Sequence, residues 1–265
     1  MSKHRISPAK ESRQDTIQNT PAQTGAAMPR SEDVYEPITL QQRFLRAAVA
    51  LTTAYLCAMF LGHPLIFTSF YFNITETKQA YFLIVSGLYL LLLLFARIAL
   101  PPDFGVTRPH VPLHPAALFL FAFYVVSVTG SLISRYRGEA FFGENNRYQG
   151  LLTLFCYACL VFVLSRQKID LRWPERAFLL GACIVSLLGV LNHFALDPFG
   201  FYNNLREMDR GRFLSTIGNA DFYASYIGMA FAVSFGYFLH ASGKRKQLLS
   251  TLILALVCFG TLVAG

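Results

Sequence analysis

Seven long runs of uncharged, mainly apolar residues constrain the fold of this chain more than any other feature. They extend over residues 47–74, 79–96, 115–134, 148–165, 177–196, 222–239 and 248–265. A helix needs roughly 20 apolar residues to cross a bilayer, and most of these runs are long enough. We expect the first helix to end near His63, because Pro64 disfavours helical geometry in the residue before it. The sequence therefore predicts an all-α, polytopic membrane helix bundle with about seven transmembrane helices.

Basic residues are distributed unevenly between the predicted loops. Besides the amino-terminal tail, they accumulate in three alternate loops, which contain Arg97 and Arg108; Arg166, Lys168, Arg172 and Arg176; and Lys244, Arg245 and Lys246. Because cytoplasmic loops carry an excess of Lys and Arg, we expect the amino terminus and these loops to be cytoplasmic. The intervening loops then face the outside. The net charge of +8 thus reflects membrane topology, and we expect no nucleic-acid partner.

The chain divides by composition into a tail and a membrane domain. Residues 1–43 are polar, rich in Ser, Gln, Thr, Pro and Ala, and contain too few apolar side chains to build a core. We expect them to form a disordered cytoplasmic tail, and residues 44–265 to form the transmembrane domain. The tail is too long and too polar to be the basic region of a cleaved signal peptide.

All five cysteines fall inside predicted helices, where a small polarizable side chain packs well. They are Cys57, Cys156, Cys159, Cys183 and Cys258. Cys156 and Cys159 have the spacing of a redox or metal pair, but no His and no second Cys pair flanks them. We therefore interpret the cysteines as packing residues and predict neither a disulfide framework nor a metal site.

The predicted outer loops contain the candidate binding residues. Arg210 and Arg212 supply positive charge just before the sixth helix, and Gly218 and Asn219 offer exposed backbone donors beside its start. Cations and a helix amino terminus together suit a phosphate group. The loop before the fourth helix is charged, aromatic and glycine-bearing, and it contributes Arg147.

Each of these residues also has a structural interpretation. Arg147 and Arg212 equally fit anchors that reach lipid phosphates at the ends of helices, so membrane lipids are expected partners in either case. Asn219 and Asp221 occupy the positions of an N-cap and a first-turn acid for the sixth helix. His193, near the outer end of the fifth helix, is more typical of a packed residue than of a base.

Two segments of the chain resemble O-antigen ligases and O-antigen polymerases. The first segment begins with an Arg and continues through a Gly-Asn pair into a small-residue helix, and the matching residues are Arg212, Ser215, Thr216, Gly218, Asn219 and Ala224. Asp221 stands where that family usually has a second Asn. The second segment opens the fourth helix, with Arg147, Tyr148, Gly150 and Leu151. The resemblance covers roughly residues 45–265, and its motifs are confined to these two loops.

The resemblance implies a function in cell-surface polysaccharide synthesis. Such proteins transfer or polymerise glycans carried on undecaprenyl pyrophosphate at the outer face of the cytoplasmic membrane, without a nucleotide sugar or a bound metal. The resemblance implies that Arg147 and Arg212 bind the pyrophosphate, with Arg210 as a further candidate. It also implies that a supporting loop is formed by Ser215, Thr216, Gly218, Asn219 and Asp221. No cofactor is expected.

The carboxyl-terminal part of that family has no counterpart in the sequence. There, a larger outer loop carries a functional His, whereas this chain ends in an apolar run at Gly265. We therefore expect the chain to be the amino-terminal portion of a ligase-like protein, and its own catalytic activity stays open. Two other classes also stay open: a transporter or flippase for an anionic lipid or solute, and a noncatalytic membrane assembly protein.

Overall fold

A computed structural model describes residues 40–68, 71, 73–99, 115–144, 147–167, 169–203 and 205–264. Most of the tail predicted over residues 1–43 lies outside these residues, and the first helix already begins at Leu40. The described part of the chain contains the α-helices α1 Leu40–Cys57, α2 His63–Leu65, α3 Ile74–Ala99, α4 Pro115–Ile133, α5 Arg137–Phe142, α6 Leu151–Ser165, α7 Arg172–His193, α8 Ala220–Leu239 and α9 Lys244–Ala264. The prediction of an all-α fold with several helices of membrane-spanning length is therefore confirmed.

Six spans are long and apolar enough to cross a membrane. They are Gln42–Leu65, Ile74–Ile98, Pro115–Ile133, Arg172–His193, Ala220–Leu239 and Lys244–Val263. The remaining predicted span corresponds to α6, which has only 15 residues. That length is about 22 Å at 1.5 Å per residue, less than the roughly 30 Å of a hydrocarbon core. The structure thus supports a multi-pass membrane protein with six full-length spans among the described residues.

A π-helical segment, Ala58–Gly62, connects α1 to α2. The hydroxyl of Tyr81 on α3 donates a hydrogen bond of 2.8 Å to the carbonyl of Ala58 within it. Helical structure continues to Leu65, two residues beyond the expected end at His63, and Pro64 lies in the last turn. This first span is therefore one helix with a locally widened turn, followed by a loop.

Among the described residues, two of the three apolar clusters lie between helices. The first lies between α1, α3 and α6, and the second between α7, α8 and α9. Tyr223 of α8 is fully buried in the second cluster, where its ring packs against Gly189 of α7. All five cysteines lie in helices and are free thiols, as the sequence predicted.

The carboxyl ends of α2, α7 and α9 and the amino ends of α3 and α8 lie at one end of the bundle, which we call the site end. The connection from α2 to α3 and the connection from α7 to α8 pack together there, because Tyr71 donates a 2.8 Å hydrogen bond to the carbonyl of Ser215. Thr216 likewise donates a 2.8 Å bond to the carbonyl of Pro64. The carboxyl end of α9 reaches the same place through Val263.

Candidate functional site

A short β-hairpin forms the centre of the site end. Strand β1, Phe213–Leu214, pairs antiparallel with strand β2, Gly218–Asn219. Between the strands, Ser215 is buried and has a φ of 55°, which is uncommon for a residue other than glycine. Its backbone N–H donates a 2.9 Å hydrogen bond to the side-chain oxygen of Asn192 on α7. The hairpin is therefore fixed directly to the end of a membrane-spanning helix.

The end of α7 is shaped by a left-handed residue, Ala195, with a φ of 58°. Its N–H donates to the carbonyl of Asn192, and the N–H of Leu196 donates to the carbonyl of Leu191, at 3.0 and 2.9 Å. This pair of bonds is the Schellman pattern that closes many helices. The chain consequently turns sharply after His193.

The carboxylate of Asp197 organises the next turn. Its two oxygens accept hydrogen bonds from the backbone N–H groups of Phe201 and Tyr202, at 2.8 and 2.7 Å. Burial, together with the negative charge of Asp197, raises the pKa of Tyr202 to about 12. The phenol therefore stays protonated and donates a 2.8 Å bond to the carbonyl of Phe213 in β1.

These turns enclose a polar cavity of about 600 Å³. Its described lining consists of Asn192, His193, Ala195, Asp197, Tyr202, Asn203, Arg210, Leu214, Ala220 and Val263. A guanidinium, an imidazole, a carboxylate and two amides thus face one space, which we call the Arg210 cavity. It lies beside the amino end of α8 and the carboxyl ends of α7 and α9.

The structure places the three predicted arginines on two connections, with Arg210 and Arg212 together in the 3-10 helix Glu207–Arg212. All three are exposed, but Arg210 lines the cavity, whereas Arg147 and Arg212 are not among its described lining residues. Arg147 lies on a different connection, before α6. Binding of one pyrophosphate by all three arginines stays a prediction. His193, which the sequence favoured as a packed residue, is exposed and lines the cavity.

The supporting loop has defined structural contacts. Ser215, Thr216 and Gly218 are buried, and Gly218 has a φ of 91° and pairs with Leu214. The expectation of exposed backbone donors is therefore wrong for Gly218, because this residue is buried against the side chains of Tyr71 and Ile74. Asn219 is the N-cap of α8, as predicted.

The cap of α8 is closed by a local hydrogen bond. The side-chain oxygen of Asn219 accepts a 2.7 Å bond from the N–H of Asp221, and Asp221 is an acid in the first helical turn. Both residues thus stabilise the start of α8, where a negative charge interacts favourably with the helix dipole.

A close approach of two backbone segments shapes the loop that carries Arg147. Gly143, with a φ of 93°, ends α5, and Gly150 begins α6 directly against it. A Cβ atom on Gly150 would lie 2.3 Å from the nitrogen of Gly143 and 2.4 Å from the carbonyl oxygen of Phe141. Only glycine therefore fits at residue 150, which explains why a glycine precedes α6.

We expect Gly150→Ala to destabilise this loop by about 1–2 kcal/mol, because the added methyl group must displace backbone atoms. The measurement is the rate of trypsin cleavage after Arg147 in the native protein, which should rise about tenfold. Gly138→Ala in α5 is the matched control, since a Cβ atom there meets nothing within 4 Å. Equal cleavage rates in the two variants would contradict the close approach.

Within the described residues, no group of three or more His, Cys, Asp or Glu side chains is placed to hold a metal ion. Comparison with protein-family models found none that matches the chain. Comparisons with curated proteins and with solved structures found no significant match. The likeness to O-antigen ligases and polymerases therefore depends on the residues of two connections, and the case for a site depends on the geometry of the Arg210 cavity.

Proposed function

We propose that this protein binds an undecaprenyl-pyrophosphate-linked glycan as part of an O-antigen ligase or polymerase of cell-surface polysaccharide synthesis. In this proposal the Arg210 cavity receives the diphosphate. The supporting observation is that Arg210 lines a polar cavity of about 600 Å³ beside the hairpin whose sequence resembles those enzymes. A planar guanidinium with five N–H donors matches the oxygens of a phosphate group well.

The other polar groups of the cavity are compatible with an anionic ligand. Asp197 adds a negative charge, but both of its oxygens already accept backbone hydrogen bonds from Phe201 and Tyr202. Asn203 and His193 line the same space and supply side chains that can donate hydrogen bonds. Arg210 is then the fixed cation that stabilises the diphosphate, in the bound state and as a leaving group.

The proposal also includes an orientation. Basic residues Arg166, Arg172 and Arg176 lie at the end of the bundle opposite to the Arg210 cavity, together with Lys244 and Arg245. Because such residues concentrate on the cytoplasmic side, we place the amino terminus in the cytoplasm and the cavity at the outer face of the cytoplasmic membrane. A lipid-linked glycan that has been moved across the membrane is accessible there.

Arg210→Ala should weaken the binding of undecaprenyl diphosphate by about 10- to 100-fold, because it removes charge-assisted hydrogen bonds. The measurement is equilibrium binding of that lipid to the purified protein in nanodiscs, with undecaprenyl monophosphate as the comparison ligand. Arg210→Lys keeps the charge and should recover part of the affinity.

Arg206→Ala is the matched control, since Arg206 is an exposed arginine of the same connection and is not among the described lining residues of the cavity. It should bind like the unchanged protein. Equal affinities of the Arg210→Ala and Arg206→Ala proteins would refute the proposed diphosphate site. Glycan transfer is then measured separately, in membranes that contain the lipid-linked glycan and an acceptor.

A further inference from the structure

The turn that follows α7 exposes three large apolar side chains. Phe194, Leu196 and Phe199 are 61%, 56% and 59% exposed, although this segment lies beyond the end of a membrane span. Exposed apolar patches on such a connection mark an interaction surface. We call residues 194–199 the apolar rim.

The apolar rim has two different sides. His193, Ala195 and Asp197 line the Arg210 cavity, whereas the intervening Phe194 and Leu196 are exposed and are not among its described lining residues. The backbone of this segment is fixed by the Schellman turn at Ala195. One short segment therefore separates a polar cavity from an apolar outer surface.

The exposed ring of Phe199 packs against one buried ring, Phe201, and one exposed ring, Phe67. The ring of Phe199 lies 5.7 Å from that of Phe201 and 6.4 Å from that of Phe67, measured between centroids. Phe201 is itself only 1% exposed, and its N–H donates to the carboxylate of Asp197. The contact with the buried Phe201 thus holds Phe199 in place within the rim.

The length of α7 indicates how deep in the bilayer the apolar rim lies. Its 22 residues extend for about 33 Å, which matches a hydrocarbon core of roughly 30 Å. Trp173, in the first turn of the helix, is also exposed. An exposed tryptophan at one end is typical of the aromatic belt at a bilayer surface, and exposed phenylalanines at the other end are typical of side chains that enter the boundary between head groups and acyl chains. The rim consequently emerges where head groups meet acyl chains.

We propose that the apolar rim inserts into the lipid bilayer at the boundary between head groups and acyl chains, so that the Arg210 cavity opens at head-group depth. The partner is the lipid surface itself, because Leu180 and Leu187 of α7 are exposed at the same seven-residue spacing that leads to Phe194, so the rim extends an exposed apolar stripe of this span. This inference is independent of the ligand that the cavity binds. It predicts that ligands enter the cavity from the plane of the membrane.

The chain contains a single tryptophan, which allows a direct test. Trp173→Phe removes the native signal, and Phe199→Trp then places one tryptophan in the rim. The protein is reconstituted in phosphatidylcholine–phosphatidylglycerol vesicles, with or without lipids brominated near the head-group end of their acyl chains. Brominated lipid should reduce the emission about twofold, and aqueous iodide should have little effect, if the rim is immersed.

Two control positions calibrate the quenching. Phe123→Trp on α4 is an exposed position inside a span and reports lipid contact, whereas Arg206→Trp reports an exposed position of the same connection. Emission of the Phe199→Trp protein that is quenched by iodide but not by brominated lipid would overturn the inference. Protection from both quenchers would also overturn it, because a protein surface would then cover the rim. Elution and thermal unfolding equal to those of the parent confirm that each variant is folded.

Discussion

Gly189→Ala is expected to destabilise the bundle by about 3 kcal/mol, because the added methyl group overlaps the side chain of Tyr223. A Cβ atom on Gly189 would lie 2.1 Å from the phenol oxygen of Tyr223 and 2.5 Å from the ring carbon that bears it. Such distances are far below van der Waals contact. The glycine is therefore required by the packing of α7 against α8.

The ring of Tyr223 has no room to move away. It is fully buried, and its hydroxyl donates a 3.4 Å hydrogen bond to the carbonyl of Gly260 on α9. A Cβ atom on Gly260 would in turn lie 3.0 Å from the side chain of Ser186. Displacing the ring thus disturbs all three helices, and interiors packed at this density accommodate such a change poorly.

The effect is measured as the free energy of unfolding in detergent, with SDS as the denaturant and circular dichroism as the signal. Gly228→Ala in α8 is the matched control, because a Cβ atom at that position meets nothing within 4 Å. That control should be neutral or stabilising by up to about 1 kcal/mol, since alanine favours helix more than glycine does.

A double variant distinguishes the clash between residue 189 and Tyr223 from any effect that alanine has on the helix itself. Tyr223→Leu alone should destabilise by creating a cavity, but Gly189→Ala should cost much less in that background because the ring is absent. Strict additivity of the two substitutions would contradict direct contact between residues 189 and 223. So would a Gly189→Ala protein as stable as the Gly228→Ala control.

The helical part of the fold could be predicted from the sequence because length and hydrophobicity determine it. Uncharged runs became helices, and the Asn-x-Asp pattern at Asn219 correctly indicated a helix cap. The shortness of α6 could not be predicted in this way. Its apolar run begins at Tyr148, but the close approach of Gly150 to Gly143 delays the helix until Leu151.

The candidate site could be predicted only as a set of residue types. In the sequence, Arg147, Arg210 and Arg212 each precede an apolar run, and Arg210 is only the further candidate of the three. Only the turns at Ala195 and Asp197 bring Arg210 into a cavity with His193, and those turns depend on long-range contacts between connections. The left-handed geometry of Ala195 has no glycine to signal it, so sequence reasoning missed this part of the site.

Lys78→Met should also destabilise the protein by about 3 kcal/mol, through lost hydrogen bonds at the site end. The ammonium group of Lys78, on the first turns of α3, donates to the carbonyls of His63, Pro64 and Ile66 at 2.8, 3.0 and 3.2 Å. All three of its N–H donors are thereby used. The last carbonyls of a helix lack partners within the helix, and a cation beside them is favourable.

The substitution keeps the apolar stem of the side chain and removes only the donors and the charge. Unfolding in detergent gives its free-energy cost, and Lys246→Met in the exposed first turn of α9 is the matched control. That control also removes one positive charge, but it should leave stability nearly unchanged. If both methionine variants unfolded alike, the role assigned to Lys78 would be wrong.

The carbonyl of Pro64 links Lys78 to the candidate site, because Thr216 of the hairpin donates to the same oxygen. Thr216→Val should therefore couple to Lys78→Met, since either variant alone leaves one donor on Pro64 and the double variant leaves none. We expect the double variant to be destabilised by about 1 kcal/mol more than the sum of the single variants. Strict additivity would mean that the hairpin and the end of the first span are stabilised independently. Coupling would instead show that Lys78 helps to position the loop beside the Arg210 cavity. It would act indirectly, through the carbonyl of Pro64 that it shares with Thr216.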